Sequence, residues 1–272
     1  QMTPQYAINP SDTKLGMRYP QITERSFLIE LLILLCTPAG QPDPYDGIPQ
    51  LAGMVVDEMY RWRDDSVANA EPRPYLPRVN REVDEALRQN NLQIAADTYW
   101  WDVVDLLFDK GLFHESMLAQ RYAVPMLGDA VAAARRPQIM NLLDKTSIGA
   151  RSESVIHAFE RMITSAVREF PILAQVTRFS LSDVRVCSLD LADVCPQGDV
   201  TSDRQTAIMY MLARHALVTP WWINEEALGQ MAPKYRPFHE RRLQDFAETP
   251  KRLCYDEFHR TSGSKSVRNQ LV

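Results

Sequence analysis

Between Gln21 and Phe170, apolar residues recur three and four positions apart, and no segment alternates as a strand does. This spacing places the apolar residues on one face of a helix. Thr23 and Asn80 are the expected N-caps of two such helices. Residues 21–172 are therefore predicted to be all-helical. The clearest runs are ITERSFLIELLILLC, IPQLAGMVVDEMYRWRDD, NREVDEALRQN, TYWWDVVDLLFDKG and SESVIHAFERMITSAVREF, with shorter helices at 114–122, 125–135 and 138–144.

The pattern changes after Pro171. Residues 174–180 and 184–191 are rich in β-branched side chains, and 251–257 contains a short apolar run, so all three segments are predicted to be strands. A further helix is predicted to follow a cap at Ser202 or Thr201, and more helix is predicted at 224–230 and at 233–248. The expected fold class is thus mainly α with a partial α/β sheet.

Composition excludes several functional classes. The formal net charge is −5, which disfavours sequence-independent binding to nucleic-acid phosphates. The apolar run that ends at Cys36 is too short for a membrane helix. The cysteines lack the spacing of a structural zinc site, and Cys36, Cys187 and Cys254 lie in apolar runs, where each is expected to pack as a small hydrophobic residue.

Two adjacent carboxylates follow the third predicted strand, in the sequence KRLCYDEFHRT. In many nucleoside triphosphatases the first such carboxylate, here Asp256, holds magnesium, and the second, here Glu257, activates the attacking water. The alternative is an ordinary strand that ends in solvent. His259 and Arg260 either sense phosphate or contact a neighbouring subunit, or they cap the next helix.

A phosphate-binding loop of the form G-x-x-x-x-G-K-[ST] does not occur in the sequence. The same Asp-Glu dipeptide occurs at Asp57-Glu58, but there it lies within a helical pattern. His157 and His215 have no partner at catalytic spacing, so both are expected to be structural. The tryptophan pair Trp100-Trp101 is expected to anchor helix packing.

Four strings resemble the ATPases of type IVB secretion systems, the DotO (IcmB) family, with TraU as the counterpart in conjugative plasmids. They are YAINPSDTKLGMRYP, AGMVVDEMYRW, SLSDVRVCSLDLADVCPQGDVTSDRQTAIMYMLARH and KRLCYDEFHRT. The resemblance implies an all-helical domain inserted into a RecA-like P-loop ATPase domain. Residues 1–20 are then a strand and loop of the RecA-like core, 21–172 are the inserted domain, and 173–272 return to the core with a Walker B-type strand at 251–257.

The resemblance also implies function. It predicts a cytoplasmic ATPase, peripheral to the inner membrane, that powers type IVB secretion or conjugative transfer as a hexamer. Its expected partners are a second secretion ATPase and the inner-membrane channel complex, without sequence-specific nucleic-acid binding. Asp256 is the implied magnesium ligand and Glu257 the implied catalytic residue.

ATP and Mg²⁺ are the implied cofactors of the whole protein. The missing loop is expected upstream of Gln1 and the rest of the sheet downstream of Val272, so residues 1–272 alone are expected to bind no nucleotide tightly and to be inactive. The alternative is a non-catalytic helical interaction module that docks a partner ATPase or another secretion component.

Overall fold

The structure, a computed structural model, describes residues 6–143, 146–148, 153–179, 184, 186–195, 198–219, 223 and 225–254. In this part of the chain the structure has eleven α-helices, joined by loops, and one two-stranded sheet that packs beside the eighth helix. The helices are α1 Ile22–Leu35, α2 Ile48–Arg63, α3 Arg81–Gln89, α4 Trp100–Asp109, α5 Phe113–Ala123, α6 Asp129–Ala134, α7 Pro137–Leu143, α8 Val155–Glu169, α9 Val200–Val218, α10 Glu225–Gln230 and α11 Arg236–Glu248.

The N-cap of a helix is the residue whose polar side chain accepts a hydrogen bond from one of the first backbone amides, which lack partners within the helix. Asn80 caps α3 as predicted, because its Oδ1 accepts from the backbone N of Val83 at 3.1 Å. The predicted cap Thr23 lies inside α1, which begins one residue earlier; the backbone N of Gln21 instead donates to Glu24 Oε2 at 3.0 Å. At α9 the cap is Asp199, whose carboxylate accepts from the backbone N of Ser202.

The first hydrophobic cluster joins α1, α2, α6, α7, α8 and α9. Leu51, Val55 and Met59 form the buried stripe of α2 that their spacing predicts. Phe159 of α8 is fully buried against the same cluster. Burying a large apolar side chain contributes about 1.5–3 kcal/mol, so this cluster is a major source of stability.

A second cluster is built from α3, α4 and α5, and the Trp pair lies at its centre. Trp100 stacks on the ring of Tyr122, with ring centroids 4.6 Å apart. Trp101 is 1% exposed and its indole N–H donates to the carbonyl of Arg63 at 3.0 Å. The prediction that this pair anchors helix packing is confirmed.

The N-terminal segment, residues 7–17, runs between the helices and contacts the chain that follows α8. Ile8 N donates to Ile172 O at 2.9 Å, and Arg178 N donates to Ala7 O at 3.0 Å. Asn9 N donates to the Thr177 hydroxyl at 2.7 Å. The start of the helical block therefore lies beside its end, although the two are far apart in sequence.

The strands predicted at 174–180 and 184–191 are wrong for the residues that the structure describes there. Residues 174–175 form a bend and 176–179 are irregular; they bond to residues 7–9 through isolated contacts, one of them to a side chain, rather than through a ladder. The short antiparallel sheet pairs β1, Ser147–Ile148, with β2, Glu153–Ser154, inside a block predicted to lack strands. The mainly α prediction is confirmed, whereas the described residues contain no partial α/β sheet.

The cysteines divide by burial. Cys36 is fully buried, as predicted, and this burial raises the pKa of its thiol to about 12. Cys187 and Cys254 are exposed, so the prediction that they pack in apolar surroundings is wrong. Their neighbours lie in irregular chain that is exposed or half-buried, where an apolar run by itself does not produce burial.

Candidate functional site

The carboxylate pair Asp256 and Glu257, with His259 and Arg260, lies outside the described residues. The predicted strand at 251–257 is wrong for residues 251–254, which are irregular. Here the Lys251 ammonium donates to the carbonyls of Phe246 and Thr249. This segment therefore caps the C-terminal turn of α11 instead of pairing with a strand.

A cavity of about 190 Å³, which we call the junction cavity, lies where the N-terminal segment meets α5, α9 and α11. Its walls combine apolar side chains with charged and polar ones, the composition typical of a small-molecule site. The titratable residues that line it are Asp12, Lys14, Arg121, His215, His239 and Arg242.

The N-terminal segment reaches this position through a compact turn. Asn9 Oδ1 accepts from the backbone N of Ser11 at 3.0 Å, which closes an Asx-turn. The Asn9 amide donates to the carbonyl of Pro125 at 2.8 Å. Further along, the Gln120 side chain accepts from Gly16 N at 2.7 Å and donates to Lys14 O at 2.8 Å. These side-chain bonds replace secondary structure and hold the segment against α5.

Lys14 is a buried cation with two partners. Its ammonium lies 3.6 Å from Glu24 Oε1 and donates to the carbonyl of Thr219 near the end of α9. Burial lowers the pKa of Lys14 to about 8, and the nearby Glu24 carboxylate opposes that shift. Lys14 thus joins the N-terminal segment to α1 and α9.

Asp12 is a half-buried residue whose carboxyl group is incompletely hydrogen-bonded. Burial raises the pKa of Asp12 to about 6, against the opposing effects of a hydrogen bond with Thr177 and the positive charge of Arg121. Its Oδ1 atom has no hydrogen-bond partner among the described residues. An unpaired buried acceptor is energetically unfavourable.

Two guanidinium groups reach the cavity from different helices. Arg121 of α5 is held in place because it donates to the carbonyls of Thr177 and Phe179, both at 3.1 Å. Arg242 of α11 lies over the ring of Phe246, 5.5 Å from its centroid. Both guanidinium groups thus lie in the wall of the same cavity as Asp12 and Lys14.

Two histidines complete the wall as neutral groups. The ring of His215 stacks on Phe27 with centroids 3.8 Å apart, and burial lowers its pKa to about 3. His239 donates from Nε2 to the carbonyl of Leu15 at 2.8 Å, and burial lowers its pKa to about 4. His215 is therefore structural, as predicted, while it also lines the cavity.

The sequence analysis did not identify the junction cavity. One available signal was the pair of opposite charges Asp12 and Lys14 in a turn-rich stretch. Another was the face of α11 on which His239, Arg242 and Phe246 recur three and four positions apart. Neither signal shows that these two segments meet in space.

Comparison of the chain with models of protein families, with curated proteins and with solved structures finds no match. Within the described ranges, none of the helices has the length and apolar character required to cross a membrane. Function therefore has to be inferred from the residues of this chain and their contacts.

Proposed function

We propose that this chain is part of an ATP-hydrolysing motor of the type IVB secretion ATPase family, in which a helical domain is inserted into a RecA-like domain. The observation that carries the proposal is the pairing of the N-terminal segment with the chain after α8. Ile8 and Arg178 take part in backbone hydrogen bonds that bring both ends of the helical block together. Insertion of one domain into another requires such adjacent ends.

In this proposal the chemistry belongs to Asp256 and Glu257. The Asp256 carboxylate is the ligand type that Mg²⁺ prefers, and the ion, when bound, neutralises charge on the phosphates. Glu257 accepts a hydrogen bond from the attacking water, orients it and removes its proton. The glycine-rich loop that holds the phosphates is absent from the sequence, so a second segment has to supply it.

The proposal is tested in the whole protein by ATP turnover and by binding of a fluorescent ATP analogue. Glu257→Gln should retain nucleotide affinity and lose hydrolysis by at least about a hundredfold, since the group that activates water is gone. Asp57→Asn, which changes the exposed first carboxylate of the Asp-Glu dipeptide in α2, is the matched control and should leave turnover unchanged. Normal turnover in Glu257→Gln would exclude the assigned role.

The same proposal predicts that residues 1–272 alone do not bind ATP and Mg²⁺ tightly. Titration calorimetry of this chain should give no saturable heat with ATP and Mg²⁺ at concentrations up to about 1 mM. Tight binding would contradict the proposed need for a phosphate-binding loop outside the chain.

A non-catalytic interaction module is the second candidate. Its support is that the described helices enclose two extensive hydrophobic clusters of their own, and so provide a complete scaffold for a docking surface. This candidate predicts stable capture of a second secretion ATPase by residues 1–272, with the same affinity for the wild type and for Glu257→Gln. In the motor proposal, by contrast, assembly and turnover both depend on nucleotide.

A further inference from the structure

The two hydrophobic clusters remain separate in the part of the chain that the structure describes. The first is built from α1, α2, α6, α7, α8 and α9, which we call the α2 body. The second is built from α3, α4 and α5, against which Phe238 of α11 packs, and we call this group with α11 the α4 body. Every closely packed pair of described α-helices lies within one body or joins α10 to α11.

Polar contacts join the two bodies where their helices do not pack. Trp101 of α4 donates from its indole N–H to the carbonyl of Arg63, the last residue of α2, at 3.0 Å. Arg18 forms ion pairs with Asp65, which follows α2, at 2.7 Å and with Asp105 of α4 at 3.4 Å. Two cores of one chain that meet through polar groups can move relative to each other, whereas a large apolar interface would fix them.

The shortest connection between the bodies is the loop between α5 and α6, residues 124–128. Val124 is buried in the second cluster and Leu127 in the first, so the backbone passes from one body to the other inside this loop. A short loop between two packed bodies absorbs the changes in φ and ψ when the bodies rotate. Residues 124–128 therefore have the position of a hinge, and the Asn9 amide donates to the carbonyl of Pro125 within it.

The N-terminal segment, residues 7–17, is bound to the α2 body. The hydroxyl of Tyr60 in α2 donates to the carbonyl of Ser11 at 2.8 Å, and both residues are buried. The Lys14 ammonium lies 3.6 Å from the carboxylate of Glu24 in α1. These contacts fix the middle of the segment on the side of the first cluster.

The same segment is bound to the α4 body. The Gln120 side chain of α5 accepts from the backbone N of Gly16 at 2.7 Å. Its amide donates to the carbonyl of Lys14 at 2.8 Å. His239 of α11 donates to the carbonyl of Leu15 at 2.8 Å, and the Leu15 side chain is buried in the second cluster. One short segment thus bonds to both sides of the joint.

We propose that residues 7–17 act as a clasp across a hinge. While the segment is docked, it holds the α2 body against the α4 body; when it is released, the bodies rotate about residues 124–128. The junction cavity lies at this joint, between α9 of one body and α5 and α11 of the other, so its width follows the state of the clasp. This change of conformation does not depend on the function proposed for Glu257.

Spin labels on the two bodies measure the rotation by pulsed electron paramagnetic resonance. Arg88→Cys with Thr164→Cys places labels at exposed positions of different bodies, on α3 and α8. Arg88→Cys with Lys110→Cys places both labels on the α4 body and gives a reference distance that reports its unfolding. Cys187→Ser and Cys254→Ser remove the exposed thiols of the described chain. A docked clasp gives one main distance between the bodies, and its release adds a second.

Two residues of α5, about one turn apart, provide the variant and its control. Gln120 is buried and its side chain bonds to residues 13–16, so Gln120→Met weakens the clasp with little change in volume. Ser116 is also buried, but its hydroxyl donates to the carbonyl of Val104 inside the α4 body, at 2.8 Å. Ser116→Ala therefore removes a buried hydrogen bond without touching the clasp.

Gln120→Met should raise the population of the second distance between Arg88 and Thr164 at least about fivefold, because several bonds that hold the segment are gone. Ser116→Ala should leave this distribution unchanged, and the reference distance between Arg88 and Lys110 should stay in place in both variants. An unchanged distribution in Gln120→Met would overturn the proposal. Equal changes in Gln120→Met and Ser116→Ala would overturn it as well.

Tyr60→Phe tests the clasp from the other body. It removes only the hydroxyl that donates to Ser11 and keeps the ring in the first cluster. The population of the second distance should rise here too, by about threefold for a single hydrogen bond. Should Gln120→Met alter the reference distance through loss of the native fold, Tyr60→Phe decides the question. An unchanged distribution in this variant would then contradict the clasp.

Discussion

The Lys14 ammonium lies 3.6 Å from the Glu24 carboxylate, with only 12% of the lysine side chain and 6% of the glutamate side chain exposed. Glu24 also accepts from the backbone N of Gln21 at the start of α1. One carboxylate therefore caps a helix and compensates a buried cation. This relationship connects the folding of α1 to the position of the N-terminal segment.

Removal of one partner of this pair should be costly. Lys14→Met leaves Glu24 buried without its cation, and we expect the free energy of unfolding to fall by about 3 kcal/mol. The double variant Lys14→Met with Glu24→Gln should recover most of this loss, since a neutral glutamine needs no counter-charge. Urea denaturation of the single and double variants measures the difference. A double variant as unstable as Lys14→Met would show that the loss arises from other contacts of Lys14.

Acid should destabilise the protein through its buried histidines. Burial lowers the pKa of His215 to about 3 and that of His239 to about 4, below the ordinary value of 6.5. The unfolded chain therefore binds more protons, and the stability present above pH 6.5 is lost as the pH falls toward these values. At pH 5 each histidine should account for a loss of about 2 kcal/mol.

Urea denaturation at pH 7.5 and pH 5 tests this effect. The double variant His215→Gln with His239→Gln should lose less stability between the two pH values than the wild type. His157→Gln, which changes an exposed histidine of α8, should behave as the wild type. An unchanged pH dependence in the double variant would mean that other groups govern the response to acid.

Two aspartates that form ion pairs, Asp129 and Asp57, differ in burial and should differ in their contribution to stability. Asp129 lies between Arg63, at 2.7 Å, and Arg73, and its side chain is 11% exposed. Asp57 lies 2.6 Å from Arg25, but its side chain is 57% exposed. Asp129→Asn should lower the free energy of unfolding by about 3 kcal/mol, and Asp57→Asn by less than about 1 kcal/mol. Thermal and urea denaturation of the two variants should rank them in this order; equal losses would contradict the role of burial.

The helices could be predicted from sequence because their information is local. The stripe of Leu51, Val55 and Met59 specifies the buried face of α2 whatever it packs against. Caps were predicted less well. Ser202 was a plausible cap of α9, yet the side chain that accepts from an amide there belongs to Asp199, one of several polar residues close together.

The strand predictions were wrong, and the junction cavity was missed, for the same reason: both depend on contacts between segments that are distant in sequence. A strand requires a partner, and the residues around Thr177 bond instead to the N-terminal segment. The cavity brings together Asp12, Arg121, His215 and Arg242 from four distant segments. Periodicity describes each segment separately and contains no information on which segments meet.

Gly16 positions the N-terminal segment against Tyr235, and this contact should make Gly16 irreplaceable. Its φ is +79°, and a Cβ atom built there would overlap the Tyr235 ring. Gly111 has a φ of +78° with open space around it, so it shares the backbone requirement without the steric one. Gly111→Ala should therefore cost only the left-handed conformational penalty of about 1–2 kcal/mol.

Gly16→Ala should lower the free energy of unfolding by clearly more than Gly111→Ala, because the Tyr235 ring also has to move. A double-mutant cycle isolates that second contribution: Tyr235→Leu should relieve part of the cost of Gly16→Ala and none of the cost of Gly111→Ala. Urea denaturation of the single and double variants supplies the coupling free energy. Equal losses for the two glycine variants, with zero coupling to Tyr235, would show that the ring yields freely and that Gly16 is needed only for its backbone conformation.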